Sequence, residues 1–441
     1  MPSAGNRNLL PNTGFEDVTP EGSPIGWERY VPRPEISPEF LCDDRVARSG
    51  ARSLCISGQG KVEAIGSLTA RAAGIEEGAY YELSAYFCTE DMIAPHECVW
   101  LKVTWLREPG DEAARAALLH RASQEGDWWR ISERVRAPEG ATLAEVSLGL
   151  RGAPNGRVWW DDVTLSQVPP PPPRNVRLAT SFLPAAQRTP EAWSAILDRA
   201  GEGGADVICL TELAEVIPVD PKLRPTIPGP ATDVLAGFAR RYKMLVVASL
   251  PEWDGPVCYN TAVIVGRDGS LVGRYRKTHL PQGEAELGIT AGDCLPVFDT
   301  DIGCVGLQIC YDHFFPEVTR ALAVQGAEII FTPIMGDTRA NGQIYESVAR
   351  CRAVDNSVFY VTSIQGTERT RTGRSLIVDP SGTILADTAE VPGVVFADVD
   401  LDQAYYEPWL SVREGEFRHL WPKERRPSLY HGLATQPGQS G

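Results

Sequence analysis

The 441-residue sequence predicts an all-β domain followed by an α/β domain. Three observations carry that prediction. "QVPPPPPR", residues 167–174, holds five consecutive prolines, which favour polyproline II and make a semi-rigid spacer between folding units. Short strand-like runs separated by Gly, Pro and Asp turns precede it, with no sustained helical period. Strands alternating with helices follow it.

Before the spacer the runs are "YYELSAYF", "VWLKVTWL", "WWRISERV", "AEVSLGL" and "RVWWDDVTL", and they predict a β-sandwich over residues 1–168. The linker occupies 169–174. After it, "VRLATSFL" reads as a strand, "PEAWSAILDRAGEGG" as a helix, "ADVICLTEL" as a strand, "ATDVLAGFARRYK" as a helix and "MLVVASL" as a strand. Two hairpins are also expected, one turning at Asp268-Gly269 and one at Pro380-Ser381-Gly382, so the sheets should be mixed.

Composition narrows the function. Lys plus Arg total 42 against 58 for Asp plus Glu, a net charge of −16, which disfavours a nucleic-acid partner. No window approaches the roughly 20 apolar residues of a membrane span. The start, "MPSAGNRNLLPNTGFE", lacks the basic and apolar regions of a signal peptide, so a soluble, cytoplasmic protein with no membrane partner is expected. The ten cysteines form no C-x-x-C pair and no zinc-site spacing, so most are expected to be buried reduced thiols; no metal and no other cofactor is expected.

Three ionisable residues stand where apolar runs end. In "VGLQICYDHFFPEVTR" the run ends in Cys310, and Pro316 suits the first position of a helix closed by Gly326. The thiol is thereby placed on the loop leaving a strand's C-terminal end, where α/β sheets gather ligands and reactive groups. "VICLTELAEV" delivers Glu212 in the same way, and "GRYRKTHLP" delivers Lys277 beside His279 and Pro281. An unperturbed thiol is only a few per cent ionised at neutral pH and needs a base. Together the three residues supply a thiol, a base and a cation.

These residues resemble the nitrilase superfamily of carbon-nitrogen hydrolases. "LTEL" carries the glutamate, "YRKTHLP" the lysine, "ICYDHFFPEVTRALAVQGAEII" the cysteine and its helix, and "ERRPSLYHGL" is similar to the family's C-terminal segment. Thr211 stands where a proline commonly precedes the glutamate. The resemblance implies a hydrolase domain over 175–434 with a polar tail at 435–441, an α-β-β-α sandwich, and a homodimer or higher homo-oligomer. It also implies hydrolysis of an amide, carbamoyl or nitrile group, an amide being favoured, through a thioester-type intermediate. On this reading Glu212 takes the Cys310 proton, and Lys277 meets the oxyanion together with the backbone N–H of Tyr311. The family's second glutamate is either Glu284 or Glu286, with Glu284 favoured. Asp312 and His313 can be read as a second acid/base pair, but loop hydrogen bonding is the preferred reading.

The first domain resembles galactose-binding-like, carbohydrate-binding jelly rolls in "NLLPNTGFED", "RSGARSLCISG" and "RVWWDDVTL". Seven of the eleven tryptophans lie there and could stack on sugar rings or pack the sandwich. Strict alternation puts Val99, Leu101, Val103 and Trp105 inside and Trp100 outside, and likewise Trp159 inside and Trp160 outside. Related modules often hold a structural calcium near residues such as Glu16, Asp161 and Asp162, although a cytoplasmic setting argues against it. Substrate walls are expected from "GDTRANGQIYE" and "SIQGTERTRTG". The alternative to an enzyme is a glycan-binding or scaffold protein with a vestigial hydrolase domain. Intact Glu212, Lys277 and Cys310 weigh against it.

Overall fold

The computed structural model describes residues 7–92, 94–108, 110–113, 116–119, 122–220, 222–336, 342–366, 374–389, 391–405 and 425–430. Parts of both expected substrate walls (337–341 and 367–373), the end of the C-terminal segment and the polar tail lie outside these residues. Two compact units divide the chain between Pro172 and Pro173, and the described stretch 425–430 groups with the first.

In the first unit, two six-stranded antiparallel sheets enclose one hydrophobic core. The strand Val99–Arg107 follows strict alternation, sending Val99, Leu101, Val103 and Trp105 into that core. Trp100 lies on the opposite face, half-buried, where a Cβ on Gly149 of the neighbouring strand would come within 2.0 Å of its ring. The tryptophan pair of Arg157–Val168 reverses the expectation. A bulge between Asp161 and Thr164 inserts a residue, so the inward set is Val158 and Trp160, then Val163 and Leu165. Trp160 is fully buried and packs on Phe87 with ring centroids 5.4 Å apart, so it is no sugar platform. Trp159 lies on the other face and donates its indole N–H to Asp43 at 3.0 Å.

The acidic residues considered for calcium are held by protein donors. Asp161 Oδ2 accepts from the backbone N–H groups of Arg48 (2.8 Å) and Ser49 (3.2 Å), and its Oδ1 from Asp162 N (2.7 Å). Glu16 Oε1 accepts from Ala51 N (2.9 Å) and Arg52 N (3.1 Å). Among the described residues no group of three or more His, Cys, Asp or Glu is arranged to hold a metal.

The second unit stacks two six-stranded mixed sheets face to face. Val176, Leu178, Val207, Cys209, Val247 and Ile264 of one sheet meet Val305, Leu307, Ile329, Phe331 and Val361 of the other. The helices Pro190–Glu202 and Pro230–Tyr242 cover the outer face of the first sheet with Trp193, Ile196, Leu197 and Leu235. Pro316–Val324 and Gly342–Asn356 lie against the second, completing α-β-β-α layering. Both expected hairpins form, Val257–Val265 with Leu271–Arg276 and Leu376–Val378 with Ile384–Asp387. Gly269 and Gly382 take φ +82 at their turns, which costs a glycine nothing. Among the described residues no helix is long and apolar enough to cross a membrane.

Candidate active site

Three strands of the second unit end at one place. Glu212 follows Val207–Cys209 in a turn where Leu213 has φ +49. Lys277 is the residue after Leu271–Arg276. Cys310 follows Gly303–Leu307 and opens a 3₁₀ turn with φ +43, a conformation that costs a non-glycine residue energy and is common at functional sites.

The three side chains form one cluster. Lys277, fully buried, donates from Nζ to Glu212 Oε1 at 2.9 Å and to Glu284 Oε1 at 2.6 Å. The Cys310 thiol donates to the carbonyl of Met335 at 3.6 Å, and the N–H of Met335 donates to Glu212 Oε2 at 2.7 Å. A single residue's backbone thus holds both the carboxylate and the thiol. Glu284 enters from the short helix Gln282–Glu286, whereas Glu286 bonds Gln282 at an exposed position. The second oxygen of Glu284 is buried with no hydrogen-bond partner among the described residues. Tyr311, whose N–H was expected to face the oxyanion, is partly exposed, with its ring edge-on to Phe315.

Electrostatics follow from this packing. Burial pushes the Cys310 thiol well above its usual range and the Glu212 charge adds to the effect, against an opposing pull from Lys277. Burial alone would lower the Lys277 ammonium, but Glu212, Cys310 and Glu284 outweigh it and hold its pKa above the ordinary value. Burial raises the Glu284 carboxyl, and Lys277 only partly offsets that. The resting cluster is therefore a neutral thiol beside a persistent cation.

His313 is no acid/base partner at neutral pH: burial first, then the Arg352 charge, hold its ring down to about 3. It sits 2.7 Å from the Tyr360 hydroxyl. Asp312 is a loop acceptor, in line with the preferred sequence reading.

Several supporting residues escape a sequence reading. Asn260 donates to Glu212 Oε1 (2.8 Å), accepts from Ser249 Oγ (2.6 Å), and gives its backbone carbonyl to Lys277 N (2.9 Å). Gln365 donates to the Glu212 carbonyl (2.8 Å) and accepts from Thr211 Oγ1 (3.0 Å), so the residue replacing the family's proline is itself tied down. The only sequence signal for Asn260 was a polar residue inside a largely apolar run, and for Gln365 a polar residue where such a run ends before Gly366.

A sequence profile described as Carbon-nitrogen hydrolase matches residues 163–406, more than half of the chain. Omega-amidase NIT2 of Bos taurus is 32% identical over 223 residues, covering 47% of this chain and 80% of the relative. Its Mus musculus counterpart is 29% identical over 260 residues, covering 55% and 91%. Among solved structures, a carbon-nitrogen hydrolase from Helicobacter pylori G27 superposes with a TM-score of 0.51 at 23% identity, over 60% of this chain and 99% of that one. A cysteine variant of the Nesterenkonia AN1 amidase from the nitrilase superfamily gives 0.50 at 22%, over 60% and 98%. These two likenesses speak to the fold. The profile and the omega-amidase relatives establish that the chain is an enzyme and belongs to the carbon-nitrogen hydrolase family.

Proposed function

We propose that the enzyme hydrolyses a small-molecule amide, with Cys310 as nucleophile, Glu212 as general base, Lys277 as oxyanion stabiliser and Glu284 as orienting carboxylate. The observation that carries the reading is Lys277 Nζ bonded to both glutamates beside a thiol that shares the Met335 backbone with Glu212. Because the resting thiol is neutral, its proton moves to Glu212 as Sγ attacks the carbonyl carbon. The carbonyl oxygen gains the negative charge, which Lys277 and the Tyr311 N–H meet. Collapse breaks the C–N bond, the nitrogen takes the proton from Glu212, and a thioester and ammonia or an amine result. Water, deprotonated by Glu212, adds to the thioester, which releases the acid and restores the thiol.

The relatives' name, omega-amidase, favours an amide substrate over a nitrile. So does the buried Glu284 oxygen that no described residue bonds, which suits an amide N–H donor that a nitrile lacks. A panel of primary amides, carbamoyl compounds and nitriles, read by ammonia release and by intact mass after rapid acid quench, tests this. Amides should release ammonia and leave an acyl mass on the Cys310 peptide. Faster turnover of nitriles, or an adduct on another residue, would overturn the assignment.

Glu212→Gln should abolish hydrolysis while making the thiol easier to ionise. Glu212 raises the Cys310 pKa, so removing its charge lowers it. The pH midpoint of Cys310 carboxymethylation should therefore move down, and an upward move or an active variant would refute the base assignment.

The remaining parts of the proposal rest on resemblance and composition. Residues 1–168 are a galactose-binding-like jelly roll, 175–434 carry the hydrolase, and the protein acts as a homodimer or higher homo-oligomer, a state light scattering measures directly.

A further inference from the structure

Lys277 and Cys310 lie on different segments, each leaving its strand by a short turn, yet the chemistry proposed above requires the ammonium and the sulfur in a fixed relation. One buried carboxylate joins the two segments. Asp312 is completely buried. Its Oδ2 accepts from the Tyr275 hydroxyl (2.7 Å) and from the N–H of Ile309 (2.9 Å). Its Oδ1 accepts from the N–H of His279 (3.0 Å), sits 3.0 Å from His279 Nδ1, and takes the Thr278 hydroxyl at 3.2 Å.

These donors bracket both reacting groups. Tyr275 lies two residues before Lys277, and Thr278 and His279 follow it directly; Ile309 immediately precedes Cys310. Tyr275 is also tied to Thr278, whose N–H donates to the Tyr275 hydroxyl at 3.1 Å and whose Oγ1 lies 2.9 Å from that hydroxyl, closing a loop around Lys277. The His279 ring stacks on Phe315 at 4.0 Å, tying the same segment to the far end of the turn that Cys310 opens. We propose that Asp312 is the positioning residue that registers Lys277 against Cys310, acting through Tyr275, Thr278, His279 and Ile309 without touching the substrate. The proposal rests on the assignment of Lys277 and Cys310 made above.

The chemistry explains why a carboxylate is needed. A buried group accepting from several donors on two faces must be acceptor-only, and an ionised carboxylate with its roughly four lone-pair sites is the side chain that qualifies. An amide in its place presents an NH₂ to one of those faces, setting donor against donor there. A displacement of about 1 Å between reacting groups can cost on the order of 10²-fold in rate.

The test reads the Lys277–Cys310 relation without turnover. Lys277 favours the Cys310 thiolate, and Glu212 opposes it. The pH profile of iodoacetamide alkylation, followed on the Cys310 peptide by mass spectrometry, therefore reports how near the ammonium sits. Asp312→Asn should move the alkylation midpoint upward and lower kcat by about 10- to 100-fold, with KM within about threefold. In a Lys277→Met background, where no ammonium remains to misplace, Asp312→Asn should give no upward shift. A folded Asp312→Asn protein with an unmoved midpoint, or an equal shift in both backgrounds, would overturn the proposal. If Asp312→Asn does not fold, Tyr275→Phe removes one clamp bond, and the same upward shift is required of it; an unmoved midpoint there also overturns the proposal. Should Lys277→Met alone leave the profile unchanged, the assignment of the lysine falls, and the role of Asp312 falls with it.

Discussion

Cys310→Ala is expected to abolish amide hydrolysis, with a loss of about 10⁴-fold or more, while the protein stays folded. The large effect follows from covalency: without sulfur no thioester forms, and Glu212 and Lys277 have only water to activate. The small structural effect follows from the site. Lys277 keeps both carboxylate partners, Glu212 keeps the Met335 and Asn260 donors, and only one sulfur atom is lost. Alanine there should change stability by no more than about 1 kcal/mol. Ammonia release by the purified variant, set beside its thermal midpoint, checks both parts. More than about 1% residual turnover would place the nucleophile elsewhere.

Lys277→Met should be costly in two currencies. Losing an oxyanion donor removes about 3 kcal/mol or more of transition-state stabilisation, a rate loss of at least 10²-fold. The substitution also leaves Glu212 and Glu284 facing each other with no cation between them, and breaking a buried ion pair typically destabilises by about 3–5 kcal/mol. Two carboxylates so placed raise each other's pKa and bind a proton more tightly folded than unfolded. The variant's stability should therefore rise as pH falls from 7 towards 5. Thermal melts across that range, alongside the rate, measure both effects. A variant as stable and active as the parent would leave Lys277 with neither a catalytic nor a structural role.

The candidate site was legible where an apolar run ended abruptly on an ionisable residue, as at Glu212, Lys277 and Cys310. The choice between Glu284 and Glu286 was not legible. They are two residues apart, which is invisible in a loop but puts them about 200° apart once Gln282–Glu286 winds into a helical turn. Alternation succeeded along Val99–Arg107 because that strand pairs in unbroken register, and it failed at Trp159 and Trp160 because one inserted residue switches every later side chain to the other face. The Met335 backbone has no sequence signature at all, since every residue but proline carries the same donor and acceptor. Asp312 was visible as a residue but not as a joint, because its partners on the Lys277 segment, Tyr275, Thr278 and His279, lie more than 30 positions away.

The Gln365 bond to the Glu212 carbonyl spans 153 positions, and it places a late event in the life of each molecule. During synthesis the glutamate, the lysine and the cysteine all emerge before the strand Phe359–Gln365 exists to hold the first of them. Contacts of such sequence separation form slowly, since a long loop must close before they are rewarded. A nascent chain therefore carries its thiol through the 55 residues from Cys310 to Gln365 without the scaffold that fixes its base, and the enzyme is armed only when the strand Phe359–Gln365 docks.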